Sequence, residues 1–133
     1  MKLLADTTFL IDLMVGDEAA LKKAKEIEAK STPLTVSSPT VFELHVSLSL
    51  SSKAEEEENA KIMAVLKSLP FLSLDYESSK AGGIIYGDKK RAGKTMDPED
   101  AMIAGIAKVN SKKILTRNIK HFQGIEGVSV EPY

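Results

Sequence analysis

Five short apolar runs, at residues 2–5, 34–36, 71–74, 113–116 and 128–130, punctuate the chain, and stretches of mostly helical spacing separate them. A strand that leads through one or two helices into the next strand needs a crossover connection. Such connections give an α/β fold with a mainly parallel sheet and helices on both faces. In sheets of this kind ligands gather beyond the carboxyl ends of the strands, so function is to be sought there.

The intervening segments carry readable boundaries. The first run ends on Asp6, with Thr7 or Thr8 expected to cap a helix over residues 9–14. Asp17 and Glu18 open a second helix, which Ser31-Thr32-Pro33 stops. Residues 42–50 conflict with themselves, because Phe42, Leu44, Val46, Leu48 and Leu50 alternate with Glu43, His45, Ser47 and Ser49 as a half-buried strand would. A helix is nevertheless predicted there, since residues 34–36 already fill the strand slot and Ser37-Ser38-Pro39 is a helix entry. Further helices are predicted over residues 54–68, 77–91 and 98 to about 109. Gly82-Gly83, at a cost of roughly 1 kcal/mol each inside a helix, implies close packing or a bend.

With 133 residues, 43% of them hydrophobic, the chain is expected to form a single domain over 1–133. It contains no Cys, which removes disulfides, thiolate metal sites and cysteine nucleophiles together. A reducing, cytoplasmic location is expected, with no membrane association, because no apolar run approaches the roughly 18 residues a spanning helix needs. Residues 1–79 carry 8 Lys/Arg against 13 Asp/Glu, and residues 80–133 carry 10 against 6. A polyanion could be held by a local basic rim on the second half, although the overall balance lacks the global attraction of a DNA-coating protein.

Three acids stand out. Asp6 ends the first strand, Glu43 is a lone acid in a mostly apolar helix, and Asp100 precedes Ala101-Met102-Ile103-Ala104 at the lip of the core. Each also has a plainer reading, as a strand-end turn, an exposed helix side or helix-start chemistry, and Asp97 is assigned to capping the helix that Pro98 begins. Three carboxylates converging without a local Lys or Arg would repel one another unless a cation lay between them. A hard divalent ion, Mg²⁺ or Mn²⁺, suits oxygen ligands and phosphodiester chemistry. Asn118, just past the fourth strand, would face the same crevice.

Four segments together resemble the PIN-domain nucleases: Leu4-Ala5-Asp6-Thr7-Thr8-Phe9-Leu10-Ile11-Asp12, Ser38-Pro39-Thr40-Val41-Phe42-Glu43-Leu44, Asp100-Ala101-Met102-Ile103-Ala104-Gly105-Ile106-Ala107, and Ile114-Leu115-Thr116-Arg117-Asn118-Ile119-Lys120-His121-Phe122. The length is similar to that of the VapC-type toxins of toxin–antitoxin pairs. The resemblance implies a three-layer α/β/α fold, a Mg²⁺- or Mn²⁺-dependent endoribonuclease, a homodimer, and inhibition by a small VapB-like antitoxin. By motif position it gives the metal-ligand roles to Asp6, Glu43 and Asp100 and the fourth place to Asn118, where family members have Asp or Asn. Thr7 and Thr116 would orient the carboxylates.

Lys89, Lys90, Arg91 and Lys94 before the Asp97 turn, and Arg117, Lys120 and His121 beside Asn118, are candidates for gripping RNA phosphates, with plain solvated charge as the alternative. His45 and His121 are left out of the catalytic set. Two other functions stay open: a non-catalytic interaction module on the same fold, and a small-molecule phosphatase on a similar sheet. For a phosphatase, no nucleophilic Asp with a supporting Lys is evident.

Overall fold

The computed structural model describes residues 2–133. Met1 and the side chain of Glu58, the last of the run 55–58, lie outside the described residues. In chain order the elements are β1 (Leu3–Ala5), α1 (Thr7–Met14), α2 (Glu18–Ala29), β2 (Leu34–Ser37), α3 (Ser38–Ser49), α4 (Lys53–Ser68), β3 (Phe71–Leu72), α5 (Tyr76–Arg91), α6 (Pro98–Val109), β4 (Lys113–Leu115), α7 (Ile119–Phe122) and β5 (Ser129–Glu131). The sheet has the order β3-β2-β1-β4-β5, and every neighbouring pair is parallel. Chain order runs outward from β1 to β3 on one side and then resumes at β4 on the other. The crevice between β1 and β4 is therefore the point where the strand order reverses, and all carboxyl ends lie along one edge.

The alternation of strand side chains divides the core in two. Leu3, Ala5 and Leu115 pack with Phe9, Leu10, Ala20, Leu44 and Leu66 from α1 to α4. Leu4 and Ile114, one residue out of phase, pack with Ile85, Ile103, Ile106 and Phe122 from α5 to α7. Period two on the strands thus places helices on both faces, and the three layers follow.

The alternating segment is helical, as the entry signal required. In α3 Leu44 is fully buried while Phe42 is 64% exposed, so its alternation does not describe a buried face. Most strand boundaries shift by a residue, β3 stops at Leu72 rather than 74, and α1 starts two residues early with Asp6 as its cap rather than Thr7 or Thr8. A carboxylate facing the free N–H groups of a helix start outcompetes a hydroxyl for that place.

Between α5 and α6 the backbones nearly touch. A Cβ on Gly105 would lie 2.6 Å from the Gly82 nitrogen, and one on Gly82 would lie 2.8 Å from the Ala101 carbonyl oxygen. Gly82 therefore meets the expectation of close packing, whereas Gly83 faces open space. No described helix is long and apolar enough to cross a membrane.

Candidate active site

Asp6 is 3% exposed at the end of the central strand. Its Oδ1 accepts the backbone N–H of Thr7 at 2.8 Å, and its Oδ2 accepts the hydroxyls of Thr8 at 3.0 Å and Thr116 at 2.8 Å. Three of the roughly four lone-pair positions of a carboxylate are filled, which fixes the group and leaves one direction on Oδ1. Thr116 in turn accepts the backbone N–H of Asn118 at 2.9 Å, so one hydroxyl ties the β4 exit to the β1 exit.

Glu43 comes from α3. Its Oε1 accepts the Thr7 hydroxyl at 2.8 Å, and Thr40 Oγ1 lies 3.1 Å from Thr7 Oγ1 and 3.5 Å from Ser37 Oγ. Thr7 has a single hydroxyl proton and gives it to the carboxylate, so Thr40 must donate to Thr7: a buried hydroxyl relay aims Glu43. Burial, a hydrogen bond with the Glu99 carboxyl and repulsion from Glu99 and Asp6 push the Glu43 carboxyl up to about 7, against the pull of Thr7.

Asp100 stands in the first turn of α6, where Asp97 is the cap and accepts the Glu99 N–H at 2.8 Å. The Asp100 side chain is 18% exposed, and its Oδ2 lies 2.9 Å from His121 Nδ1. Burial and the Asp6 charge raise it to about 6, and the imidazole pulls the other way.

Asp6, Glu43 and Asp100 thus arrive from three elements at the carboxyl edge of the sheet, close enough for Asp6 to repel both of the others. Among the described residues their basic partner is His121 alone, with no Lys or Arg paired to them. The donor set is oxygen only, carries surplus negative charge and keeps unfilled lone pairs, the chemistry that a hard divalent cation satisfies. The side chains are not closed around one point, since among the described residues no three acids or imidazoles stand at ligating separation.

Asn118 caps the short α7, and its backbone N–H, not its side-chain amide, donates to Thr116 Oγ1. Beside Asp100 opens a trench of about 840 Å³ whose lining includes Lys89, Lys94, Asp97, Lys120 and His121. Lys90 and Arg91 are not part of it, and Arg91 pairs with Asp88 on the exposed side of α5. Arg117, expected at the phosphates, is held elsewhere: it pairs with Asp17 at 2.8 Å and Asp12 at 3.3 Å and lies over the Tyr133 ring. Asp17 accepts its hydrogen bond and Asp12 adds a second counter-charge, so the guanidinium is already engaged.

Glu99 is a site neighbour that the sequence did not single out, and His121, set aside from the catalytic set as a lone turn histidine, stands beside Asp100. The helix-start reading of Asp97-Pro98-Glu99-Asp100 absorbed Glu99. The signal for His121 was its place three residues after Asn118, one helical turn along.

The PIN domain model matches residues 3–126. Ribonuclease VapC3 of Methanocaldococcus jannaschii is 32% identical over 106 residues, which cover 80% of this chain and 98% of that protein. The tRNA(fMet)-specific endonuclease VapC of Shigella flexneri is 25% identical over 133 residues, 100% of this chain and 98% of that one. Among solved structures, the DNA-bound VapBC of Salmonella typhimurium superposes with a TM-score of 0.84 at 25% identity, covering 99% and 98% of the two chains. The fold, the order of the matched segments and these relatives agree: the chain belongs to the PIN domain family.

Proposed function

We propose that the protein is a divalent-metal-dependent endoribonuclease, the toxin of a VapBC-type pair, working at the site formed by Asp6, Glu43 and Asp100. One observation carries the reading: three carboxylates lacking a Lys or Arg counter-charge among the described residues are gathered at the strand-order reversal, with Glu43 and Asp100 raised by burial and by the neighbouring acids.

Asp6, Glu43 and Asp100 would hold Mg²⁺ or Mn²⁺, with Asn118 beside them as a neutral oxygen donor. The ion, when bound, activates water and neutralises charge developing on the phosphate. The protein's own residues do the positioning. Thr7, Thr8 and Thr116 fix Asp6, and the relay from Ser37 through Thr40 and Thr7 fixes Glu43. Lys89, Lys94 and Lys120 in the trench are placed to meet the phosphates of a strand lying across Asp100. Lys89 is anchored by donating to the Gln123 carbonyl at 2.8 Å.

The antitoxin half of the reading has its own support. Solved relatives include a DNA-bound VapBC and a toxin–antitoxin complex, and this chain carries an apolar groove of about 520 Å³ between α1, α2 and α4. Phe9, Leu13, Leu21, Ile27 and Val65 line it, a surface suited to an apolar face of an antitoxin segment.

The test is cleavage of several structured RNAs by the purified protein in Mg²⁺ or Mn²⁺ against EDTA, with the product ends identified. Metal-activated water leaves a 5′-phosphate and a 3′-hydroxyl. Cleavage that persists in chelator, or 2′,3′-cyclic phosphate ends, overturns the mechanism. Failure to cut any RNA favours an interaction module.

A further inference from the structure

Among the described residues His121 is the one basic side chain paired with the acids of the site. Its Nδ1 lies 2.9 Å from Asp100 Oδ2, and among the described residues its second ring nitrogen makes no hydrogen bond. The side chain is 52% exposed and lines the trench together with Lys89, Lys94 and Lys120. On the other side of the pair, Asp100 is mostly buried against a core helix that begins only two residues earlier.

From this geometry we infer that His121 is a positioning residue for the metal: its Nδ1, 2.9 Å from Oδ2 of Asp100, restrains that carboxylate, which would hold the ion. The inference rests on the reading that Asp6, Glu43 and Asp100 bind a divalent cation. A carboxylate at a helix start is free to rotate about its terminal bond. Asp6 is stopped by three protein hydrogen bonds and Glu43 by a hydroxyl relay, whereas Asp100 has no hydroxyl partner. The imidazole supplies the missing restraint. Groups that hydrogen-bond to metal-binding carboxylates typically change metal affinity or activity by about 10–100-fold when removed.

The bond needs a donor at the Nδ1 position and nothing from Nε2. An Asn side chain can place its amide N–H close to where Nδ1 stands, whereas Ala cannot. Mn²⁺ binding to the intact, RNA-free protein, followed by electron paramagnetic resonance, therefore separates the roles. His121→Ala should weaken Mn²⁺ binding by about 10–100-fold, and His121→Asn should recover most of that loss. RNA affinity measured in EDTA should stay within about threefold of the parent for both variants, because the trench lysines remain. A thermal melt checks that each variant is folded; the half-exposed position makes both substitutions tolerable.

If the parent protein binds no Mn²⁺, the metal reading itself fails and this inference falls with it. If the parent binds Mn²⁺ and His121→Ala binds it equally well, the inference alone is overturned. It is overturned too if Asn and Ala lose Mn²⁺ equally, or if RNA affinity falls while Mn²⁺ affinity stays, which would make His121 a contact for RNA.

Discussion

The hydroxyl of Thr116 donates to Oδ2 of Asp6 at 2.8 Å across 110 residues of chain, and both groups are buried. It joins the exits of two neighbouring parallel strands, so the geometry of the acid depends on the register of β1 with β4. Thr116→Val keeps the shape and deletes the donor. Activity should fall by about 10–100-fold, with RNA affinity in chelator unchanged, while an unmet acceptor on Asp6 costs about 1–3 kcal/mol of stability. Steady-state kinetics and a denaturant melt measure the two effects side by side.

Asp100→Asn removes charge with little change of shape. RNA cleavage should drop by orders of magnitude while RNA affinity holds or rises, since repulsion of phosphate eases. Binding by filter retention alongside a cleavage time course is the check, and equal loss of both would contradict the assignment.

The trench lysines should behave oppositely. Lys94→Ala with Lys120→Ala should weaken RNA binding and reduce the slope of log affinity against log salt by about 1.4, at about 0.7 per lost single-strand phosphate contact. Lys90→Ala with Arg91→Ala, outside the trench, should leave the slope nearly unchanged.

Metal-free protein should lose stability as pH rises. Burial and like charge lift Glu43 to about 7 and Asp100 to about 6, above their ordinary 4.5 and 3.8. An acid raised in the folded state disfavours folding once it ionises, so its contribution is fully present below the unfolded value and is lost through the folded one. Melting temperatures in EDTA should therefore decline from about pH 5 to about pH 7.5, and Mg²⁺ should reverse the decline at the upper end. Asp17, Glu26, Asp75 and Glu131 are shifted downward, and their stabilisation is lost only at more acidic pH.

Val65 is 59% exposed in the apolar groove, so Val65→Glu leaves the core intact. It should release RNA cleavage from inhibition by the cognate antitoxin while the free protein cuts at its usual rate. Retained inhibition would move the docking surface elsewhere.

What the sequence displayed, and what it hid, divide along physical lines. The strand positions and the helix at Ser37-Ser38-Pro39 were legible because local chemistry and long-range packing agree there. Asp6, Glu43 and Asp100 stood out because each is an acid at the margin of an apolar segment. The roles of Glu99 and His121 were not legible because both depend on the approach of separate elements: Glu99 acts on Glu43 from another helix, and His121 of α7 meets Asp100 of α6. Arg117 misled because its acidic partners, Asp12 and Asp17, lie about a hundred residues away in sequence.

Asp6 caps α1 with the same carboxylate that faces the site, and that double duty makes the three acids unequal under mutation. Removing Asp100 or Glu43 relieves repulsion and leaves a silent but sturdy molecule. Removing Asp6 takes away a helix cap, typically about 0.5–2 kcal/mol, and strands the hydroxyls of Thr8 and Thr116. A lineage drifting toward inactivity can lose the first two acids while the protein persists, but loss of Asp6 also weakens the scaffold. Inactive descendants should therefore keep Asp6 longest, and a catalytically dead form intended for trapping RNA is better made at Asp100.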